Sequence, residues 1–447
     1  MEPKYSVTIE KILKEKKIDI GSKIRVVKSS NVYEGLLMPR IEGDRDTLII
    51  KLDNGYNVGV KYEKDVKIEK LDDFKEHPKI SRKKFDTSFD NSKPTIMILH
   101  TGGTIASRVD YRTGAVEASF EPEDLISLFP EIFDIANIKS KLIRKMFSED
   151  MRFEHHQLMA REIAKECHNV DGIIITHGTD TLHYTSASLA FMLENLPIPV
   201  ILVGSQRSSD RPSADSGMNL ICAAKFIAKT DFAGVAVCMH ANTHDDFCYV
   251  HHPCKVRKFH TSRRDAFESV NAKPYAKVWF KEDRIEFLRD DYMKKDKTRK
   301  LILRDKFEEK VGIVKFYPGF DEKILEFFLN EGYKGLVIEG YGLGQIPVNE
   351  IDEFTYHNKK NLEILKKLVD KGCLIIACSQ TIFGRVNLNV YSTGRDMQSI
   401  GIIGGEDMHP EVAFVKLRWL LGNFDIEEAR NLVTKNLRGE ITERTEI

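Results

Sequence analysis

No apolar run in this chain approaches the roughly 20 residues that a membrane-crossing helix needs, and no hydrophobic leader opens it. Net charge is missing as well, since 68 Lys and Arg balance 68 Asp and Glu. Without a broad positive field, tight and independent binding of nucleic acid is not expected. The basic stretch Arg82-Lys83-Lys84 reads as part of a solvated linker rather than as a phosphate contact. Cysteine is scarce and unpatterned. Seven of them, an odd number without framework spacing, exclude a disulfide scaffold and point to reduced thiols in a cytoplasmic setting. Glutamine is confined to Gln157, Gln206, Gln345, Gln380 and Gln398, while Lys and Glu abound, a balance that tilts toward a heat-adapted source. Internal repeats and low-complexity blocks are absent.

What is present divides the 447 residues into several units. Over 1–75, the runs Ile18–Val27, Val32–Met38, Thr47–Leu52 and Tyr56–Val60 are short, apolar-rich and punctuated by Ser, Asn, Asp and Gly. That is the pattern of a small antiparallel β-barrel, with Asp53-Asn54-Gly55 as a hairpin turn. Residues 76–93 follow as a linker. Residues 94–285 alternate strands, beginning at Thr95, Gly172, Val200 and Gly234, with helices such as Phe153–Cys167 and Thr185–Glu194, which predicts an α/β domain with a parallel sheet. The charge-rich stretch Arg289–Lys300 marks a second linker, 286–310. A smaller α/β domain spans 311–424, with strands at Val311–Phe316, Gly335–Glu339 and Leu374–Cys378. A closing helix, Asp425–Leu437, and a tail fill 425–447, with Asp425 placed to cap the helix.

Two strand ends carry the chemistry. In Thr95-Ile-Met-Ile-Leu-His-Thr-Gly-Gly-Thr-Ile-Ala-Ser107, an apolar strand stops at two glycines and places Thr104 on a tight turn. A hydroxyl there, at the carboxyl end of a parallel strand, is a candidate nucleophile. One such turn by itself more often only leads into a helix or holds a phosphate on its backbone amides. In Asp171-Gly-Ile-Ile-Ile-Thr-His-Gly-Thr-Asp-Thr181, a second β-branched run ends the same way and delivers Thr179, Asp180 and Thr181. Two buried parallel strands ending so would gather hydroxyl and carboxylate groups on one sheet edge.

Thr-Gly-Gly-Thr followed by His-Gly-Thr-Asp-Thr resembles the bacterial-type L-asparaginase and glutaminase family, and the resemblance runs from about Pro94 to Gly422. It implies a two-domain asparaginase-like fold and a role for each matching residue. Thr104 matches the nucleophile and Tyr111 the tyrosine of the loop over the site. Ser148 matches a serine that holds the substrate α-carboxylate. Thr179 matches a threonine that orients catalysis, and Asp180 an aspartate that binds the α-ammonium. Lys258, in Lys258-Phe-His-Thr-Ser-Arg-Arg-Asp-Ala-Phe267, matches the lysine that completes a threonine–lysine–aspartate relay. Gly103 and Gly178, in the two turns, are expected to bind substrate along with Ser148 and Glu149. Glu149 departs from the family, standing where secreted members carry glutamine, which makes substrate choice less determined than reaction type. Arg211–Asp215 with Met218-Asn-Leu220 resembles the start of the helix after the third strand. Gly384-Arg-Val-Asn387 and Tyr391-Ser-Thr-Gly394 resemble the smaller domain of cytosolic-type members.

The leading barrel is the second departure, because ordinary members lack it. A barrel fused ahead of such a body is similar to the glutaminase components of archaeal tRNA-dependent amidotransferases. That similarity implies a homodimer core within a heterotetramer, feeding ammonia to a partner, the E subunit, that converts Glu-tRNA(Gln) to Gln-tRNA(Gln). ATP and magnesium belong to that partner, no cofactor is expected in this chain, and tRNA is met only through the complex. The implied reaction is acyl transfer from Thr104. A lysine side chain keeps its proton at neutral pH, and removing it costs about 4–5 kcal/mol, so Lys258 is an awkward base. The first proton then passes to Tyr111 or a water, with Lys258 and Asp180 setting the polarity of Thr179. Backbone amides at the Gly178–Thr179 turn serve as oxyanion donors.

Another cluster, Cys238-Met-His-Ala-Asn-Thr-His244 with Cys248-Tyr-Val-His-His-Pro-Cys254, concentrates soft and imidazole ligands. Its spacing matches no zinc signature, and no metal site is expected. The rival functions are a stand-alone cytosolic L-asparaginase, sharing every catalytic residue, and a silent scaffold docking through the barrel.

Overall fold

The structure is a computed structural model that describes residues 5–38, 44–52, 57–71, 89–103, 105, 107–109, 116–118, 129–207 and 214–444. The N-terminal unit is a five-stranded antiparallel sheet in the order Asn57–Lys61, Thr47–Leu52, Asn31–Leu37, Lys23–Lys28, Lys67–Lys70. Alternation along these strands sends Ile24, Val26, Leu48, Ile50, Val60 and Ile68 into a small separate core. The turn at Asp53-Asn54-Gly55 lies outside the described residues, but the strands it joins pair from Thr47↔Lys61 to Lys51↔Asn57. Two elements go beyond the four apolar runs. Helix Val7–Glu15, capped by the Ser6 side chain, lays Ile9 and Leu13 on the core. Strand Lys67–Lys70 buries only Ile68, too little apolar signal to read from sequence.

The large domain is built on a nine-stranded sheet. Its parallel heart runs Phe232–His240, Pro199–Val203, Gly172–Thr176, Thr95–Gly102, Asn137–Met146. The three middle strands are buried along their whole length, which is why they read as unbroken apolar runs. Strand 95–102 is followed in the chain by 137–146 on one side and then by 172–176 on the other. The direction of travel reverses there, and in such sheets the crevice outside the carboxyl ends at the reversal is where ligands bind. The helix expected over 185–194 spans Leu182–Met192 instead, because Thr181 already supplies the first carbonyl, accepting from Thr185 N at 3.1 Å, and Leu193–Glu194 pairs as a strand.

Residues 286–310 are no free tether. Ile285–Phe287 extends the large sheet, Met293–Lys294 pairs with Phe232–Ala233, and Ile302–Leu303 pairs with Leu193–Glu194. Their charge marks an exposed outer edge of the large domain. The smaller domain is a parallel four-stranded sheet in the order Val311–Lys315, Gly335–Gly340, Leu374–Ser379, Ile403–Gly404. Helix Pro410–Asn423 lies between the two sheets, and its Trp419 ring sits 5.4 Å from Phe191 of the large domain. The two domains therefore share one hydrophobic core. The closing helix is shorter than expected, Ile426–Leu432, with Asp425 capping it through Glu428 N at 2.9 Å. Farther on, the amides of Leu437 and Arg438 bond the Glu440 carboxylate, which turns the chain away from helix.

A fully buried ion pair fastens these pieces. Lys255 Nζ lies 2.7 Å from Asp407 Oδ2, both side chains are 0% exposed, and the tail donates Thr442 N to Asp407 Oδ1 at 3.0 Å. Removing one partner leaves an uncompensated charge in the interior. Asp407→Ala is expected to lower unfolding free energy by about 3–5 kcal/mol, measured by urea denaturation. A midpoint unchanged from wild type would show that the pair is dispensable.

Candidate active site

Three segments meet at the reversal point. The Thr95–Gly102 strand ends in Gly102 and Gly103, both with positive φ (96° and 75°), a region open to glycine at little cost. A Cβ on Gly103 would lie 2.4 Å from Cα and N of Gly178, and one on Gly178 would lie 2.7 Å from Cβ and Oγ of Ser148. Only glycine at both positions lets these strand ends touch. Gly103 N also donates to the Met146 carbonyl at 2.9 Å, which draws the Phe147–Ser148 turn into the same corner.

Ser148 is buried and organises the second motif. Its Oγ accepts from Asp180 N at 3.1 Å, and its carbonyl accepts from Thr181 Oγ1 at 2.7 Å. Lys258 arrives from 78 residues away on a short hairpin, Val256–Lys258 against Phe267–Ser269. Its ammonium donates to Thr179 Oγ1 at 2.8 Å and pairs with Asp180 Oδ1 at 2.9 Å. The lysine side chain is 11% exposed and the aspartate 63%, so the pair lies at the lip of the site with its carboxylate open to solvent. Glu149 is exposed beside Ser148.

Ser148, Thr179, Asp180, Lys258, Gly103 and Gly178 are thus brought together. Thr104 and Tyr111 lie outside the described residues, as do Arg211, Pro212 and Ser213. Asp215 is described, and it closes the turn after the third strand by accepting from Ser205 Oγ and from the amides of Gln206 and Arg207.

Sequence reasoning passed over the groups that brace this corner. Arg257, next to Lys258, donates to Glu411 at 2.7 Å, and His409 Nδ1 lies 2.9 Å from the same carboxylate. Burial pushes the Glu411 carboxyl up, but the His409 hydrogen bond and the charges of His409 and Arg257 hold it well below the usual carboxylate range. The small domain therefore grips the strand that presents Lys258. His177, within His-Gly-Thr-Asp-Thr, is wholly buried, and burial lowers it to about 4. Its place inside the motif was the available signal.

The Cys/His cluster disperses into the antiparallel ladder. His240 Nδ1 meets Asn219 Oδ1 at 2.7 Å, His251 Nδ1 meets Ser269 Oγ at 2.8 Å, and His252 Nδ1 accepts from Cys254 N at 3.1 Å. Among the described residues, no group of three His, Cys, Asp or Glu is placed to hold a metal ion. All seven cysteines are buried free thiols. Nor is any described helix long and apolar enough to cross a membrane.

Comparison with known proteins agrees with this architecture. Residues 95–292 match the family described as Asparaginase, N-terminal, and residues 310–432 the Glutaminase/Asparaginase C-terminal domain. The thermostable L-asparaginase from Thermococcus kodakarensis is 30% identical, with a TM-score of 0.67 over 78% of this chain and 100% of that one. L-asparaginase I from Vibrio cholerae is 28% identical, with a TM-score of 0.68 over 78% and 99%. Fold and site define an amidohydrolase of the asparaginase–glutaminase class. Residues 18–71 match the GatD N-terminal domain, which those enzymes do not account for. Proteins named as the D subunit of glutamyl-tRNA(Gln) amidotransferase are similar end to end: 48% identity over 98% of both chains in Pyrococcus furiosus, and 44% over 95% and 96% in Archaeoglobus fulgidus. The chain belongs to this family of glutamyl-tRNA(Gln) amidotransferase D subunits.

Proposed function

We propose that this chain is the glutaminase component of a tRNA-dependent amidotransferase, with Thr104 as nucleophile. The observation that carries the chemistry is the Lys258 ammonium held between Thr179 Oγ1 and Asp180, at the turn that Gly103 touches. Thr104, next after Gly103, attacks the side-chain amide carbon of glutamine and passes its proton to Tyr111 or a water. Lys258 and Asp180 set the polarity of Thr179. Ammonia leaves, and water then hydrolyses the acyl-threonine to glutamate. Ser148 Oγ, already an acceptor from Asp180 N, keeps its own hydrogen for the substrate α-carboxylate. The open carboxylates of Asp180 and Glu149 face the α-ammonium.

This chemistry needs no metal or cofactor in this chain. ATP and magnesium serve the partner, the E subunit, which amidates Glu-tRNA(Gln), and the working assembly is a homodimer core within a heterotetramer in the cytoplasm. Supporting this reading over a stand-alone asparaginase is the N-terminal domain matched at residues 18–71. The test is glutamine and asparagine hydrolysis by the full chain, alone and with the E subunit and Glu-tRNA(Gln). Glutamine hydrolysis is expected to rise at least tenfold in the complete mixture. Fast asparagine turnover by the isolated chain, unchanged on assembly, would favour the rival.

A further inference from the structure

Behind the Gly178–Thr179 turn, four buried side chains form one line. Ser188 Oγ lies 3.0 Å from His156 Nδ1, and His156 Nε2 lies 3.0 Å from Thr185 Oγ1. Thr185 Oγ1 lies 2.9 Å from His177 Nε2, and His177 Nδ1 lies 2.6 Å from the Gly178 carbonyl. None of the four residues is more than 3% exposed.

The chemistry of the end group fixes every proton. A carbonyl oxygen only accepts, so His177 Nδ1 carries the hydrogen. Burial keeps this ring neutral, and a neutral imidazole has one N–H, so Nε2 accepts from the Thr185 hydroxyl. Thr185 has then used its single proton, and its oxygen accepts from His156 Nε2–H. Burial keeps His156 neutral as well, which leaves its Nδ1 to accept from Ser188. The Thr181 carbonyl, 3.3 Å from Thr185 Oγ1, is the more distant of the two acceptors facing that proton, and His177 Nε2 at 2.9 Å is the nearer. All four hydrogen bonds point one way, toward Gly178.

The peptide at the end of the line owns the Thr179 N–H. No described peptide is cis, so this N–H points opposite to the Gly178 carbonyl, away from the imidazole. Among the described residues nothing accepts from it, although Thr179 is only 4% exposed. A buried N–H without a protein partner is costly unless a bound group takes it up. Hydrogen bonds in series also polarise one another, by about 10–30% per bond, so a carbonyl gripped by His177 makes the N–H of the same peptide a stronger donor.

We propose that Ser188, His156, Thr185 and His177 are a one-way positioning relay that holds the Gly178–Thr179 peptide so that the Thr179 N–H faces the oxyanion formed during amide hydrolysis. The inference rests on the amidohydrolase reading above. None of the four residues touches substrate. Their contribution is felt where charge develops on the substrate oxygen, and so in kcat rather than KM.

The test uses the full chain with the E subunit and Glu-tRNA(Gln). Thr185→Val keeps the shape and removes the hydroxyl, while Thr185→Ser restores it. The valine variant is expected to lose kcat for glutamine by about tenfold to a hundredfold, less than the roughly 10²–10³ typical of deleting an oxyanion donor, with KM within about twofold. The serine variant is expected to recover to within about threefold of wild type. Independently of turnover, ¹⁵N shifts of histidine-labelled protein are expected to show the Nδ1–H tautomer at His177 and the Nε2–H tautomer at His156. An Nε2–H His177, or a valine variant with wild-type kcat, overturns the relay. A wild-type assembly that hydrolyses neither amide while showing the assigned tautomers overturns the amidohydrolase reading, and with it the relay's purpose but not its direction, so the two failures are told apart.

Discussion

Lys258→Met is expected to abolish glutamine hydrolysis, with a fall of at least about 10³ in kcat, while the thermal melt stays close to wild type. Methionine fills nearly the same volume but carries no charge and no donor. It deletes the 2.8 Å hydrogen bond to Thr179 and the 2.9 Å ion pair to Asp180 together. Deleting a single positioned donor from a site typically costs about 10²–10³ in rate, and this residue serves two partners at once. Stability is spared because the carboxylate left behind is largely solvated, and exposed ion pairs contribute only about 0–1 kcal/mol. Thr104→Ala should be equally silent, since it removes the atom proposed to form the acyl-enzyme. Residual hydrolysis above a few per cent in the alanine variant would mean that another nucleophile operates. A lysine variant that melts far below wild type would mean that the residue is structural.

Acidification from pH 7 to pH 5 is expected to destabilise the fold strongly. Burial lowers His100 and His177 to about 4, and His183, His251 and His252 to about 3. In the unfolded chain these rings titrate near 6.5. Between about pH 6.5 and those lower values, the unfolded state binds protons that the folded state refuses, so stability rises with pH across this window and is lost as pH falls through it. Each ring contributes about 1 kcal/mol between pH 6.5 and 5.5, and the group on the order of 5 kcal/mol, a large share of the 5–15 kcal/mol typical of a domain. Depressed carboxyls such as Glu322, at about 2, act in the same direction but only below about pH 4.5. Urea midpoints across this range provide the measurement, and a flat profile between pH 7 and 5 would show that the buried rings accept protons without unfolding.

Much of the fold was legible because burial on both faces of a parallel sheet writes itself as unbroken apolar runs. Thr95–Gly102 and Gly172–Thr176 begin where expected, and the 232–240 strand starts two residues early. The charged 286–310 passage was misleading, because pairing at a sheet edge needs backbone groups and little apolar side chain, so its ladders leave almost no trace in composition. Helix Val7–Glu15 was missed beside a strong β pattern, although Ile9 and Leu13 carry helical spacing.

The two apolar runs that end in glycine, with Thr179 and Asp180 just past the second, were legible in local sequence, since apolar pattern and the freedom of glycine at positive φ belong to neighbouring residues. That Lys258 folds back onto Thr179 and Asp180 from 78 residues away was decided only by the tertiary structure. So were the touching of Gly103 and Gly178, the grip of Glu411 on Arg257, and the alignment of Ser188, His156, Thr185 and His177. Contacts of that kind depend on strand order and on which side chains share an interior, and no window of sequence contains both partners.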